Sequence, residues 1–214
     1  MSDVSHIVIP ETFHIELLSA ATFAASGRLS GDVDIETALD ESGLPMIGGK
    51  TIGGLLSESW WEMNDVFASL RPAGHDLFPA ASDNNESGFL SIGNAHVDPT
   101  TRSWFAALLA DGDVTRNEIV EAFTEVVAQT AVSRETGAPE PGSLRRSRGV
   151  TRGVVLHAPL TWLTAPRPDH LEVLARATLS LRRGGVARTR GRGLVRCWLA
   201  PDRTNTLKLA QVAL

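Results

Sequence analysis

Five carboxylates crowd one short stretch of the chain: Asp32, Asp34, Glu36, Asp40 and Glu41. Carboxylates in a loop can hold Mg²⁺, which takes one or two of them and completes its shell with phosphate oxygens and water. Acidic loops are as commonly solvated surface, and the spacing alone does not choose. Just downstream lies Gly48-Gly49-Lys50-Thr51, opening a helical pattern. A nucleotide-binding P-loop needs a glycine five residues before its Gly-Lys-Thr, where this chain has Leu44 and Gly43 falls one residue early, so nucleotide hydrolysis is set aside. Free N–H groups at a helix start still suit a backbone phosphate. Two arginine clusters follow. Arg145, Arg146, Arg148 and Arg152 lie in Ser143–Arg152, and Arg188, Arg190 and Arg192 alternate with glycines between Gly184 and Gly193. Glycine lets a backbone approach closely and arginine supplies phosphate contacts. The histidines at 6, 14, 75, 96, 157 and 170 show no ligand spacing, and no Ser-His-Asp or Cys-His set can be placed. Cys197 is the single cysteine, which excludes an internal disulfide and a multi-cysteine metal site.

Charge is unevenly spread. The net charge is −5, yet residues 1–130 carry 20 acidic and 5 basic side chains, and residues 131–214 carry 5 acidic and 15 basic. Of the 20 basic residues 18 are arginine, the side chain suited to bidentate phosphate contact and to stacking on bases. An acidic half and an arginine-rich half imply an anionic ligand on one side, or head-to-tail association of copies. No apolar run is long enough to span a membrane and no secretory signal opens the chain, so a cytoplasmic setting is expected.

The elements that must position these residues follow from apolar spacing. Phe13 to Phe23 alternates and reads as a strand, and Ala24 to Pro45 as a long loop with an extended piece at Val33 and Ile35. Thr51 to Leu70 has helical spacing; Ala73 to Ser87 reads as a loop; Gly88 to Val97 as a strand; Ser103 to Ala110 as a short helix. Asn117 to Ala131 fits helix or strand, and Glu135 to Gly149, with Pro139 and Pro141, an exposed loop or hairpin tip. Gly153 to Leu163 is a strand, Asp169 an N-cap for a helix to about Arg182, Leu194 to Leu199 a strand, and Leu207 to Leu214 a further apolar piece. The order β-α-β, a mixed middle, then β-α-β predicts an α+β, ferredoxin-like (RRM-like) fold in a single domain, residues 1–214.

These stretches together resemble the RAMP superfamily of CRISPR-associated proteins, above all the repeated backbone subunit of type III effector complexes. That subunit carries Gly-x-x-Asp before an acidic loop, then Leu-Pro-x-Ile-Pro-Gly-Ser-Ser-Leu-Lys-Gly opening a helix. Here Gly31-Asp32-Val33-Asp34 and the run from Leu44-Pro45 to Gly54 stand in those places. An Asp-Arg-x-Thr element leads into a thumb-like hairpin, where this chain has Ser133-Arg134-Glu135-Thr136 and the segment to Arg152. The closing glycine-rich loop resembles Gly184 to Gly193. Gly48 replaces a usual proline, Gly53 stands in the lysine slot with Lys50 three residues earlier, and Thr22-Phe23-Ala24 replaces the His-Ile-Gly turn.

The resemblance implies a RAMP domain with insertions, including a thumb-like hairpin at about 133–152. It implies a subunit that polymerises along a guide RNA and meets target RNA, copies of itself and other effector subunits. RNA would be held by Gly48, Gly49, Lys50, Thr51, Arg134, Arg145, Arg146, Arg148, Arg152, Arg188, Arg190 and Arg192. Target RNA would be cut with Mg²⁺ or another divalent cation through Asp34, as catalytic residue and metal ligand. Two alternatives stay open: a non-catalytic RNA-binding subunit, and a guide-processing ribonuclease needing a histidine such as His170 near the glycine loop.

Overall fold

The alternation in Thr12–Leu17 makes strand β1, with Phe13, Ile15 and Leu17 fully buried and His14 and Glu16 on the opposite face. The computed structural model containing it describes residues 8–25, 33–79, 89–131, 133, 135–138, 140, 142–188 and 191–211. Gly31, Asp32, Arg134 and Arg190 lie outside the described residues. β1 sits between two antiparallel neighbours, β7 (Val155–Trp162) and β8 (Val195–Leu199). The free edge of β7 takes β3 (Leu90–Ile92) and β4 (Ala95–His96), and β2 (Met46–Ile47) pairs with β4. The spatial order is β8-β1-β7-β3/β4.

Two helices carry the chain between non-adjacent parallel strands. α1 (Gly49–Trp61) lies between β1 and β3, and α5 (Pro168–Ser180) between β7 and β8. Both bury one stripe, Ile52, Leu55, Leu56 and Trp60 on α1 and Leu171, Leu174 and Ala177 among others on α5. Ile52, Leu55, Leu56 and Trp60 of α1 and Leu174 and Ala177 of α5 share one core with Phe13, Ile15 and Leu17, so the helices cover one sheet face. Each large apolar side chain buried there stabilises the fold by about 1.5–3 kcal/mol.

The expected strand Gly88 to Val97 is broken by a bulge. Ile92 pairs with Leu160 and His96 with His157, one residue out of register. The extra residue falls at Gly93-Asn94, where the Asn94 side-chain oxygen accepts the Gly49 N–H at 2.9 Å and so caps α1. A side chain at Gly49 would put its Cβ 2.1 Å from the Ile92 carbonyl oxygen, so glycine is required at that helix start.

Several expectations change. The first strand stops at Leu17. The helix expected to Leu70 ends at Trp61, and Ala73 to Ser87 is not a loop throughout, because α2 (Arg71–Leu77) occupies its beginning. Gly74 lets α2 close on Trp60, where a Cβ would fall 2.1 Å from the indole nitrogen. The short helix expected at Ser103 is α3 (Pro99–Asp111), begun four residues earlier by Pro99 and the cap from Asp98 to the Thr101 N–H at 2.9 Å. Asn117 to Ala131 is both readings in turn: α4 (Arg116–Phe123) runs straight into β5 (Thr124–Gln129). Asp169 is not the N-cap of α5; Arg167 precedes Pro168 there and Asp169 lies in the first turn. The final apolar piece, expected at Leu207 to Leu214, begins inside α6 (Arg203–Leu209), and residues 212–214 lie outside the described residues.

The basic stretch Ser143–Arg152 is mostly strand, β6 (Arg145–Val150), paired with β5 from Thr124↔Val150 to Gln129↔Arg145. The hairpin therefore starts at Thr124, ahead of the expected 133. Its root is fastened to the domain by the bridges Ala21↔Val150 and Ile35↔Ser147.

Candidate nucleic-acid interface

The acidic segment does not float. Val33 to Thr37 runs beside β6, with the Asp34 N–H on the Arg146 carbonyl at 2.8 Å and the Arg148 N–H on the Ile35 carbonyl at 2.9 Å. Asp34 is exposed, and its Oδ2 accepts the Arg146 N–H at 2.6 Å. Its second oxygen has no hydrogen-bond partner among the described residues. Glu36 is taken by Arg148, whose Nε lies 2.9 Å from the carboxylate and whose Nη1 donates to Thr124 Oγ1 at 3.2 Å. Asp40 caps its own turn through the Ser42 and Leu44 N–H groups and pairs with Arg102. Among the described carboxylates of the loop, Asp34 and Glu41 are in no ion pair and keep an oxygen without a partner, and of the two Asp34 is the one seated on β6. No group of three His, Cys, Asp or Glu is placed to hold a metal ion among the described residues. Asp34 fits a divalent cation at one position only, with the other ligands left to phosphate and water.

Arg145, Arg146 and Arg152 are exposed on the hairpin and the turn after it. Lys50 and Thr51 are exposed at the start of α1. There Gly49, Lys50, Gly53 and Ser57 line one wall of a cleft of about 400 Å³, with Leu77, Phe78, Leu90 and Ile92 opposite. Two of the first three helix amides are already used, Gly49 by Asn94 and Thr51 by the Gly48 carbonyl. An anion in this cleft would rely chiefly on the Lys50 side chain.

The glycine-rich loop is packed at its two ends, around Gly184-Gly185 and Gly193. Gly184 and Gly193 pair with each other, Gly193 N–H donates to Ala20 O at 2.9 Å and Val186 N–H to Thr22 O at 2.8 Å. Gly185 and Gly193 have positive φ, and a Cβ on either would strike backbone, Thr22 O at 2.6 Å and Gly184 O at 2.0 Å. Arg188 crosses to Glu58 on α1 in a two-pronged pair, one bond being 2.7 Å. The Arg188 guanidinium holds the Glu58 carboxyl below its ordinary range, and Glu58 raises Arg188 in turn. Arg192 reaches Ser147 on β6 and Thr22 after β1. The fold thus brings Asp34, Arg146, Arg148 and Arg192 to the hairpin root, while Arg188 is held at α1.

His170 cannot serve as a free acid or base. It is fully buried, its Nδ1 accepts the Arg167 N–H at 3.2 Å and its Nε2 lies 3.0 Å from Asp76. That hydrogen bond, ahead of the Arg167 one, lowers the Asp76 carboxyl. Burial pushes the Cys197 thiol up, so it is an inert core group.

Spacing along the chain did not show one feature. On the sheet face away from the helices, His96, His157, His14 and Trp198 stand directly opposite one another across β4, β7, β1 and β8. His14 Nδ1 lies 2.7 Å from His157 Nδ1, and the His14 ring stacks on Trp198 with centroids 5.1 Å apart. Burial, then the neighbouring His157, holds His14 at about 4. Burial and Arg102 also lower His96. Single histidines at alternating positions of three strands were the available signal, and only the register joins them.

No family model matches the chain and no curated protein is similar to it. Solved structures are. A chain of the type III-B Cmr-beta complex, solved by cryo-EM with cognate target RNA bound, superposes with a TM-score of 0.66 over 91% of this chain and 98% of that one, at 11% identity. A chain of the apo state of type III-B Cmr-beta superposes with a TM-score of 0.65 over 92% of this chain and 99% of that one, at 12% identity. The protein has the fold of these type III CRISPR complex chains along nearly its whole length, and the motifs of the sequence resemble the same kind of protein. No described helix is long and apolar enough to cross a membrane.

Proposed function

We propose that this chain is a guide-RNA-binding backbone subunit of a type III CRISPR effector complex, acting in the cytoplasm beside copies of itself and other effector subunits, and that it cuts target RNA through Asp34. The fold reading is a ferredoxin-like RAMP domain: the order β8-β1-β7-β3/β4 with two helical crossovers is the split β-α-β arrangement, and the β5–β6 hairpin is the thumb-like insertion. The observation that carries the cutting assignment is the placing of Asp34, exposed and with one free oxygen, at the root of an arginine-bearing hairpin. Guide phosphates would meet Lys50, Arg145, Arg146 and Arg152, contacts that carry no base information.

Chemically, the free Asp34 oxygen would align a ribose 2′-hydroxyl or take its proton as O2′ attacks the adjacent phosphorus and the P–O5′ bond breaks, the departing O5′ taking a proton from solvent. The products are a 2′,3′-cyclic phosphate and a 5′-hydroxyl. A divalent cation, held by that oxygen and by RNA, would neutralise phosphate charge. Replacing Asp34 by Ala in the assembled complex is expected to abolish metal-dependent target cutting while guide and target still bind. Unchanged cutting removes Asp34 from the mechanism.

A second reading, a binding subunit without catalysis, is favoured by the other Asp34 oxygen, which is spent on the Arg146 amide as a structural acceptor would be. Cutting assays with Mg²⁺ and with EDTA separate the two.

A further inference from the structure

The arginines of β6 divide between two faces. Ile35 stands opposite Ser147 in a parallel bridge, with the Ile35 N–H on the Arg146 carbonyl at 3.2 Å and the Arg148 N–H on the Ile35 carbonyl at 2.9 Å. Side chains alternate along a strand, so this register sets Asp34 beside Arg146 and Glu36 beside Arg148 on one face. Arg145, Ser147 and Gly149 turn to the other. The Glu36–Arg148 ion pair at 2.9 Å agrees with that register. Across the hairpin, Val126 and Ala128 belong to the Asp34 face, and Val127 and Gln129 to the Arg145 face.

On the Asp34 face, Arg148 is already engaged by Glu36 and Thr124. Arg146 is exposed, and among the described residues no carboxylate lies within ion-pair distance of it. Neighbouring strand residues of opposite charge ordinarily pair. Here the Asp34 carboxylate turns instead to the Arg146 backbone amide at 2.6 Å, which leaves the guanidinium without its nearest acid in register. The cation and the second Asp34 oxygen therefore share one exposed face, both without a partner among the described residues. Ala128, directly opposite Arg146, is exposed and too short to cover them. A carboxylate that approaches a phosphodiester meets charge repulsion, and a guanidinium beside it offsets that repulsion and can hold two phosphate oxygens.

We propose that Arg146, and not its sequence neighbour Arg145, binds the phosphodiester on which Asp34 acts. This rests on the target-cutting reading above and narrows it, moving Arg146 from the guide phosphates to the target strand. Arg145, on the far face, stays with the guide.

The test uses the assembled complex carrying Asp34→Asn, whose amide oxygen can still accept the Arg146 N–H, and reads binding in EDTA so that no cutting intervenes. Target RNAs each carrying one uncharged methylphosphonate are walked along the paired segment, and guides are walked likewise. With Arg146 present, one target register per subunit footprint should lose about fivefold in affinity. With Arg146→Gln that dip should vanish at the same register, while the guide profile keeps its shape. Arg145→Gln should do the reverse, keeping the target dip and altering the guide profile. Arg146→Lys retains the charge without the fork and should leave a shallower dip; it also serves if the glutamine variant fails to assemble. A target profile indifferent to Arg146, a change confined to the guide, or equal effects from Arg145 and Arg146 overturns the proposal. Because binding is read without cleavage, a failed Asp34 cutting assay and a failed Arg146 profile are separate results.

Discussion

Gly191 and Gly193 are two residues apart, both have positive φ, and the structure gives them opposite surroundings. Around Gly191 a Cβ would meet nothing within 4 Å. Changing it to Ala costs only the left-handed backbone penalty, about 1–2 kcal/mol. At Gly193 the same penalty applies, and the new Cβ would sit 2.0 Å from the Gly184 carbonyl oxygen, a contact no side chain can relieve. Relaxing it must loosen two buried pairings, Gly184 N–H to Gly193 O and Gly193 N–H to Ala20 O, each 2.9 Å. A buried amide left unpaired costs about 1–3 kcal/mol. Gly193→Ala should therefore destabilise by about 2–5 kcal/mol. For a domain of this size that lowers the melting temperature by roughly 10 °C, against roughly 4 °C for Gly191→Ala. Urea unfolding of the purified chain reads the difference directly. Equal losses at the two positions, or a larger one at Gly191, would refute the view that this loop's glycines serve packing first.

Two further perturbations follow from charges the fold sets in place. His14 has a folded pKa of about 4 against an ordinary value of 6.5, so between those values the unfolded chain takes up the proton and the folded one does not. That contribution is present above about pH 6.5 and lost as pH falls toward 4, with a slope below the one-proton limit of about 1.4 kcal/mol per pH unit. The urea midpoint should fall between pH 7 and pH 5, and His14→Gln should flatten the fall; an unchanged profile in the variant removes His14 as its source. Glu58→Gln should free Arg188 from its two-pronged pair, raise RNA affinity a few-fold and steepen its salt dependence. An affinity unmoved by this change shows that Arg188 does not reach RNA.

The ends of the fold were legible in the sequence because their patterns are strong. Phe13, Ile15 and Leu17 alternate without a break, and Leu171, Leu174 and their neighbours keep one helical stripe, so α5 is legible to within two residues and β1 at its start, although the strand ends six residues before Phe23. The middle was not. Asn117 to Ala131 offered both periods because the chain changes from helix to strand at Thr124 without a turn residue. The arginines of β6 looked like loop because their charge hides a strand whose pairing comes from Val126 and Val127 across the hairpin. The Asn94 cap on α1 is invisible to local reading, since its acceptor arrives 45 residues away through a bulge. Glycines were read as permissive for a ligand; Gly49, Gly185 and Gly193 instead admit this chain's own carbonyls.

The split of charge between the two halves has a simpler first cause than a ligand. Glu16 pairs with Arg196, Glu36 with Arg148, Glu58 with Arg188 and Asp76 with Arg167, each an acid of the first half on an arginine of the second. Much of the segregation is thus spent inside the domain, where exposed pairs contribute only about 0–1 kcal/mol each. What matters for RNA is the remainder. Among the described residues Arg145, Arg146, Arg152 and Arg192, on or against the hairpin, have no carboxylate partner, as do Arg116, Arg182, Arg183 and Arg203 elsewhere. The same internal pairing removes Glu36 from the acidic loop and leaves Asp34 as the carboxylate seated on β6 with an unpartnered oxygen. Exposed arginines without a carboxylate partner on the hairpin that also seats Asp34 suit a phosphodiester, and that feature emerges only after the paired charges have been subtracted.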